Sequence, residues 1–317
     1  MTFLAAGNLT IDDVVSADGT VAVGQCGGNG LYAALGMWVW DAPTALLAGA
    51  GTDYPARWLD RVAAAGIDLS GVWSTGEPHA LRSRAFYRAD GSRTDRVAEA
   101  DLPPHVAAAL DLSTDLTAFG SERHRAVWPA YSPAAGRLPA GPLQGAHAAP
   151  GPTRQVAELV GALADRAAVV TLDWPWWNEA RAALPRVSAV LPGIEELVRR
   201  SAGGDPYALA RGLGPTVVVK QGAAGCLVLR AGAPPVRVGT VPVRAVDPTG
   251  AGDAFCGGFC VGLATTGDPV AAAGHGAVSA SFVVERADAL AVLDADRTDA
   301  ARRLAHVLDT TVEVRSA

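Results

Sequence analysis

Residues 246–259 read VDPTGAGDAFCGGF. A β-prone segment, TVPVRAV (240–246), leads into them, and an apolar segment of helical character continues to residue 267. Gly250 and Gly252 allow a tight turn with closely spaced backbone N–H groups. At a helix N-terminus such donors, together with the macrodipole, favour a bound anion. Asp253 falls in the first helical turn, beside them. A carboxylate there can take the proton of an attacking hydroxyl while the N–H groups stabilise a transferring phosphoryl group. A bare G-x-G-D would read equally as a glycine turn with a capping Asp. The longer string argues for the chemistry.

Working outward, the chain alternates apolar strands with helices. TRQVAELVGALADR (153–166) is helical, AAVVTLDW (167–174) a strand, and ALPRVSAVLP (183–192) ends in another. IEELVRRSAGG (194–204) is a helix, and PTVVVKQG (215–222) and GCLVLRAG (225–232) are strands. Residues 269–285 form a second late helix. Buried strands between helices predict an α/β fold with a mostly parallel, doubly wound sheet. At the N-terminal end, residues 2–6 form a first strand. Two polar segments, 14–25 around Asp18-Gly19 and 80–98 around Asp90-Gly91, each predict a hairpin. They would form a small β-sheet lid, about 13–25 and 79–98, on a single domain spanning 1–317.

The chain has 317 residues, half of them hydrophobic, 18% charged, with a net charge of −6. That balance supplies no global field for nucleic acid or an anionic membrane, so neither is expected as a partner. No basic leader and no 18-residue apolar run is visible, and a soluble, cytoplasmic protein is expected. None of the four cysteines forms a C-x-x-C pair, and the six histidines show no metal spacing. Cys256 and Cys260, four apart in the apolar helix, read as small buried residues.

The string DPTGAGDAFCGGF resembles the C-terminal signature of the ribokinase (PfkB-type) carbohydrate kinases, a family that includes adenosine kinase. The resemblance extends over nearly the whole chain in the family's order. It implies a ribokinase-like sheet with a β-lid, and transfer of the ATP γ-phosphoryl group to an alcohol with Mg²⁺. Asp253 matches the catalytic base, and Gly250, Ala251 and Gly252 the anion hole. Asp247 and Thr249 match positions where many members bind K⁺. GNLTID (7–12) resembles the first strand and loop, so Asn8 and Asp12 match acceptor-binding positions, with Asp13 adjacent. VVVKQGAAG (217–225) resembles the nucleotide-supporting strand and loop, with Lys220, Gly222 and Gly225. His275 matches a position beside the adenine. Glu196 matches the acid of an N-x-x-E that organises Mg²⁺, but Gly193 stands where the Asn is expected. Losing that amide puts the metal's outer network in doubt.

GGNGLYA (27–33) satisfies G-x-G-x-x-A from Gly28, the relaxed dinucleotide fingerprint. It follows a hairpin rather than a core strand. The acidic residue required about 20 positions on is also missing, since Asp41 is too near and Asp53 lies in a loop. An NAD-dependent oxidoreductase is therefore disfavoured. Gly27 and Gly28 instead let the backbone approach an acceptor, and Asn29 can bond its hydroxyls. Tyr32 occupies the place of a family Asn, which predicts a pocket unlike that for plain ribose.

Arg82, Arg84 and Arg88 alternate along the second hairpin, with Arg93 nearby, and would grip a phosphate on a sugar-phosphate acceptor. A nucleoside acceptor would instead stack on Tyr32, Trp38, Tyr87 or Trp128. The Trp-rich segment 174–177 has no assigned role. The expected partners are ATP and a small sugar-like or nucleoside acceptor, with a homodimer through the open lid edges. The alternative is a non-catalytic sugar or nucleoside sensor on the same fold.

Overall fold

The structure, a computed structural model, describes residues 2–89, 92–95, 97–110, 112, 122–173, 184–214 and 216–314. Among them ten strands form one sheet. In it β1 (Thr2–Ala6) is flanked on one side by β4 (Thr44–Ala50) and β5 (Asp68–Ser74). On the other side follow β8 (Leu143–Ala148), β9 (Ala167–Asp173), β10 (Ala189–Leu191) and β11 (Thr216–Lys220), all parallel. Antiparallel β12 (Cys226–Arg230), β13 (Val236–Val238) and β14 (Val312–Glu313) close that edge. The expected mostly parallel, doubly wound sheet is present.

The apolar runs reflect burial on both faces. In β1, Phe3 and Ala5 join one core while Leu4 and Ala6 join the other. The first core packs α1 (Asn29–Trp38), α8 (Ala251–Thr266) and α9 (Pro269–Val284) on one face; the second packs α5 (Thr153–Ala164), α6 (Ile194–Ser201) and α7 (Pro206–Arg211) on the other. Burying both faces is what a continuous apolar strand such as TALLAGA requires. Helix α8 is clasped closely because it lacks side chains where its neighbours touch it. A Cβ at Gly257 would overlap the Ala33 carbonyl of α1, and one at Gly258 the Ser279 hydroxyl of α9.

The chain runs from β1 to β4 and β5 on one side, then returns to β8 beside β1 and proceeds the other way. The β1–β8 boundary is thus the switch point, where open α/β sheets leave a crevice at the carboxyl ends of their strands.

A second, four-stranded sheet holds β2 (Thr10–Val15), β3 (Val21–Gly27), β6 (Arg82–Tyr87) and β7 (Arg93–Thr94) in the order β3-β2-β6-β7. Both polar hairpins are therefore strand pairs, joined by the parallel contact of β2 with β6. The Asp18-Gly19 turn forms as its sequence dictates: Gly19 has φ +85°, and Asp18 accepts the Thr20 N–H at 2.9 Å. The Asp90-Gly91 turn and the Trp-rich segment 174–177 lie outside the described residues. One local expectation fails. Residues 240–246 form no strand; they cross the end of the sheet, where Val246 N–H and Asp247 N–H both donate to the Val284 carbonyl at the end of α9. Among the described residues no helix is long and apolar enough to cross a membrane.

Candidate active site

A cleft of about 1050 Å³ is lined by the C-terminal ends of the central strands, the small sheet and the start of α8. It brings together most of the residues singled out in the sequence: Asn8, Asp12, Gly28, Asn29 and Tyr32; Arg82 and Arg84; Glu196; Lys220, Gly222 and Gly225; and Thr249 through Asp253. Gly27, Asp247 and His275 lie outside its lining.

The α8 N-terminus is built as its sequence requires. Gly250 caps the helix with φ +75°, a backbone conformation that favours glycine. The Ala251 N–H donates to the Pro248 carbonyl, so this amide is already engaged. The N–H groups of Gly250, Gly252 and Asp253 have no carbonyl partner among the described residues. The open donors thus include Asp253's own amide, whereas Ala251 drops out of the expected set.

Asp253 is half-buried, and burial pushes its carboxyl up to about 7; neighbouring Asp173 adds to the rise, while Lys220 and Arg93 oppose it. Lys220, at the end of β11, donates to both Asp173 oxygens at 3.1 Å. Burial alone would lower its ammonium, but Asp173, then Cys256, Glu196 and Asp253, hold it above the ordinary lysine range. Lys220 is therefore a fixed cation: a Cβ at Gly252 would lie 3.7 Å from its Nζ. Asp173, which ends β9, is the partner the sequence reading missed. Its signal was only the last polar residue of an apolar strand.

Glu196 accepts the Gly193 N–H at 2.9 Å, closing the first turn of α6. Burial, and then Asp173, push its carboxyl up to about 7. A Cβ at Gly193 would meet Glu196 at 3.4 Å, an ordinary contact, so the position has room for a larger residue.

On the opposite side, Asp12 sits in β2 rather than in the loop after β1. Ser83, its register neighbour in β6, donates to it at 2.6 Å, and burial raises its carboxyl. Gly27 does not line the cleft; it vacates the space that the Asp12 carboxylate fills. The adjacent Asp13 points the other way and holds Arg84 at 2.9 Å, while Arg82 lies 3.8 Å from Asp53. Both arginines line the cleft and already face carboxylates of the chain.

Three further expectations change. Asn29 does not aim its amide at a ligand: its Oδ1 accepts the Asn8 N–H at 2.6 Å, while its Nδ2 lies 3.5 Å from the Pro150 carbonyl, tying the β1 and β8 ends together. Tyr32 is buried with its ring against Gly250, where a Cβ would overlap it. His275 packs its ring 4.2 Å from that of Trp40 and bonds Ala271 within its own helix. The α9 residues that reach the cleft are Ala277, Ala280, Ser281 and Val284. Of the expected K⁺ pair, Asp247 accepts the Thr249 N–H at 2.8 Å behind the loop, and Thr249 bonds the Tyr87 hydroxyl at 3.0 Å.

The site thus has an open helix N-terminus, a carboxylate raised to about 7 and a fixed lysine beside them, and the sequence around it matches a family model. Residues 155–296, which include the α8 loop, match that of the pfkB family carbohydrate kinases. Over those residues the chain is similar to the pfkB family. The resemblance read from the sequence is borne out, and with it a phosphotransferase whose acceptor is a hydroxyl group. A cytidine kinase from Thermococcus kodakarensis is 26% identical to this kinase over 283 residues, covering 83% of this chain and 88% of the relative. Among solved structures, a Burkholderia thailandensis nucleoside kinase in complex with inosine superposes with a TM-score of 0.72, at 15% identity over 98% of each chain. A Salmonella enterica aminoimidazole riboside kinase, complexed with aminoimidazole riboside and an ATP analog, gives 0.67 at 18% identity, covering 96% of this chain and all of the other. At such identities the superpositions establish the ribokinase fold.

Proposed function

We propose that this kinase transfers the γ-phosphoryl group of ATP to a ribose hydroxyl of a nucleoside. The observation that carries the reading is the continuity of the cleft. It joins Asp12 on the small sheet to Asp253 at the α8 N-terminus, and that in turn to Lys220 and the Gly222–Gly225 loop. An acceptor and a nucleotide can therefore meet end to end over Asp253.

Asp12, already oriented by Ser83, keeps carboxylate capacity for two ribose hydroxyls. Asp253 takes the proton of the attacking hydroxyl; a pKa near 7 suits a general base at neutral pH. The Gly250, Gly252 and Asp253 amides take the transferring group's negative charge as it develops, and Lys220 reinforces them. The small sheet acts as the lid that keeps water from the acceptor. Tyr87 and Trp128 line the acceptor side and supply flat surfaces for a base. The engagement of Arg84 by Asp13 disfavours a sugar phosphate. The named activities of the cytidine and nucleoside kinase relatives support the same choice.

Mg²⁺ fits the site in part. Magnesium sites commonly use one or two carboxylates together with substrate phosphates, and Glu196 lines the cleft with one carboxylate oxygen bonded to the Gly193 N–H. Bound there, Mg²⁺ would neutralise phosphate charge. Asp247, beside the loop and buried, is the residue that would hold K⁺. The absent Asn at Gly193 favours a sensor as second reading, but a sensor has no use for a base at the helix N-terminus.

The test is ADP formation by the purified chain with ATP and Mg²⁺ against nucleosides, free sugars and sugar phosphates. Turnover with one or more nucleosides, far above that with ribose, is expected. Preference for a sugar or sugar phosphate would overturn the acceptor class. Nucleoside binding with no ADP formed would establish the sensor instead.

A further inference from the structure

Directly beneath the α8 loop, three donors from three separate elements converge. They are a ring nitrogen of His147 in β8, a carboxylate oxygen of Asp173 at the end of β9, and the Cys256 Sγ in α8, all within 4.8 Å of one another. All three residues are buried, His147 and Cys256 completely. Their sequence spacing, 26 and 83 residues, hides the cluster from any motif.

The histidine carries the second observation. Its Nδ1 lies 3.0 Å from the Thr171 hydroxyl, which in turn is 3.5 Å from the Ala146 carbonyl. If the hydroxyl donates to that carbonyl, it accepts from Nδ1–H, and Nε2 is left with its lone pair. Nε2 is buried and has no hydrogen-bond partner among the described residues. A buried polar atom left unmet is costly. A ring nitrogen with its tautomer fixed through the other nitrogen is the usual state of a metal-ligating histidine. The place also already holds a cation: the Lys220 ammonium bonds Asp173 and lies 3.3 Å from Cys256 Sγ. Lys220 and Asp173 line the cleft, so the cluster can be reached from it.

We propose that His147, Asp173 and Cys256 bind one Zn²⁺, in competition with the Lys220 ammonium. A set of imidazole, carboxylate and thiolate suits Zn²⁺ rather than Mg²⁺, and three protein donors leave a fourth position for water. On binding, the Cys256 thiol gives its proton to solvent and a sulfur–zinc bond forms, while the ammonium leaves Asp173. The fixed cation is thereby withdrawn from the α8 N-terminus, and zinc inhibits phosphoryl transfer from below the site rather than by occupying it. The inference does not depend on which acceptor is used.

The test uses the full chain, stripped with a chelator and titrated with ZnCl₂ alone by equilibrium dialysis. One Zn²⁺ per chain is expected, with affinity weakened at least tenfold in Cys256→Ala and in His147→Leu, and unchanged in Cys26→Ala, a buried thiol elsewhere. Co²⁺ in place of Zn²⁺ should give a thiolate charge-transfer band that Cys256→Ala abolishes. Lys220→Met should bind at least tenfold more tightly. Substoichiometric binding, equal affinity in Cys256→Ala and the parent, or equal loss in Cys26→Ala would overturn the site. An unchanged affinity in Lys220→Met would overturn the competition.

Discussion

Two glycine turns line the same cleft, and they do different work. Gly28 begins α1 with φ +114°, and Gly250 begins α8 with φ +75°; neither helix has a side-chain cap. In both, the missing Cβ is required twice over, by backbone conformation and by a close neighbour. At Gly28 the neighbour is backbone, the Asn8 carbonyl. At Gly250 it is a side chain, the Tyr32 ring. The first turn of α8 also carries Asp253, whereas that of α1 has no acidic residue. Under the proposed function one turn is chemical and the other is a brace: Asn29 spends its amide holding the ends of β1 and β8. A glycine cluster at a helix start is a geometry, and the neighbouring side chains decide its use.

The largest effect should separate the turns most clearly. Asp253→Asn should lower kcat by roughly 10²–10⁴-fold with the fold intact, the usual range for loss of a general base. The structurally matched Asn29→Ala should instead act on stability, costing about 1–3 kcal/mol because the Asn8 N–H loses its partner. Steady-state kinetics beside urea denaturation distinguishes them, and a kcat loss in Asn29→Ala comparable to that of Asp253→Asn would erase the comparison.

Next in size is Lys220→Met, which removes the ammonium that bonds both Asp173 oxygens. Breaking a buried pair on one side costs about 3–5 kcal/mol, measurable by denaturant titration. The same variant tests the electrostatics of the chemical turn. Burial raises Asp253 to about 7, and as the proposed base it would act only when ionised, so kcat should climb as pH rises through about 7 and level off above it. Lys220 lowers that pKa, so its removal should move the climb to higher pH. A kcat flat between pH 6 and 8 would contradict the assignment.

The glycines themselves come third. Gly250→Ala and Gly28→Ala each place alanine at positive φ, at a cost on the order of 1–3 kcal/mol, with the steric overlap added. Adding Tyr32→Ala should recover part of the loss at Gly250, since the overlapping ring is removed. It should recover nothing at Gly28, where the obstacle is a carbonyl. Equal rescue of both would mean that Tyr32 does not brace the chemical turn. The smallest effect is expected of Gly193→Asn. Its new Cβ makes only an ordinary contact, so stability should change by no more than about 0.5 kcal/mol. The change in the KM for ATP·Mg²⁺ reads whether the amide helps organise the metal.

Legibility followed the range of the interaction. The buried strands, both hairpins and the α8 loop were readable because period, turn residues and helix starts are local. Residues 240–246 misled because their β-prone composition carries no information about the missing neighbour strand. The Asp12–Ser83 pair depends on the register of two strands joined in parallel 71 residues apart. Arg84 looked available until that same register set it opposite Asp13. His275 matched a family position, yet the close approach of α8 and α9 turned its ring toward Trp40.

The sequence alone determined the class of fold, the pfkB-type loop and the placement of a carboxylate in the first turn of α8, because each is written in consecutive residues. Tertiary structure decided everything that needs two distant segments at once. It paired Lys220 with Asp173, set Tyr32 against Gly250, and gathered His147, Asp173 and Cys256 beneath the loop. Burial and charge at close range then set the Asp253 pKa. Both depend on which side chains the sheet and helices bring within a few ångströms, and no local pattern records that.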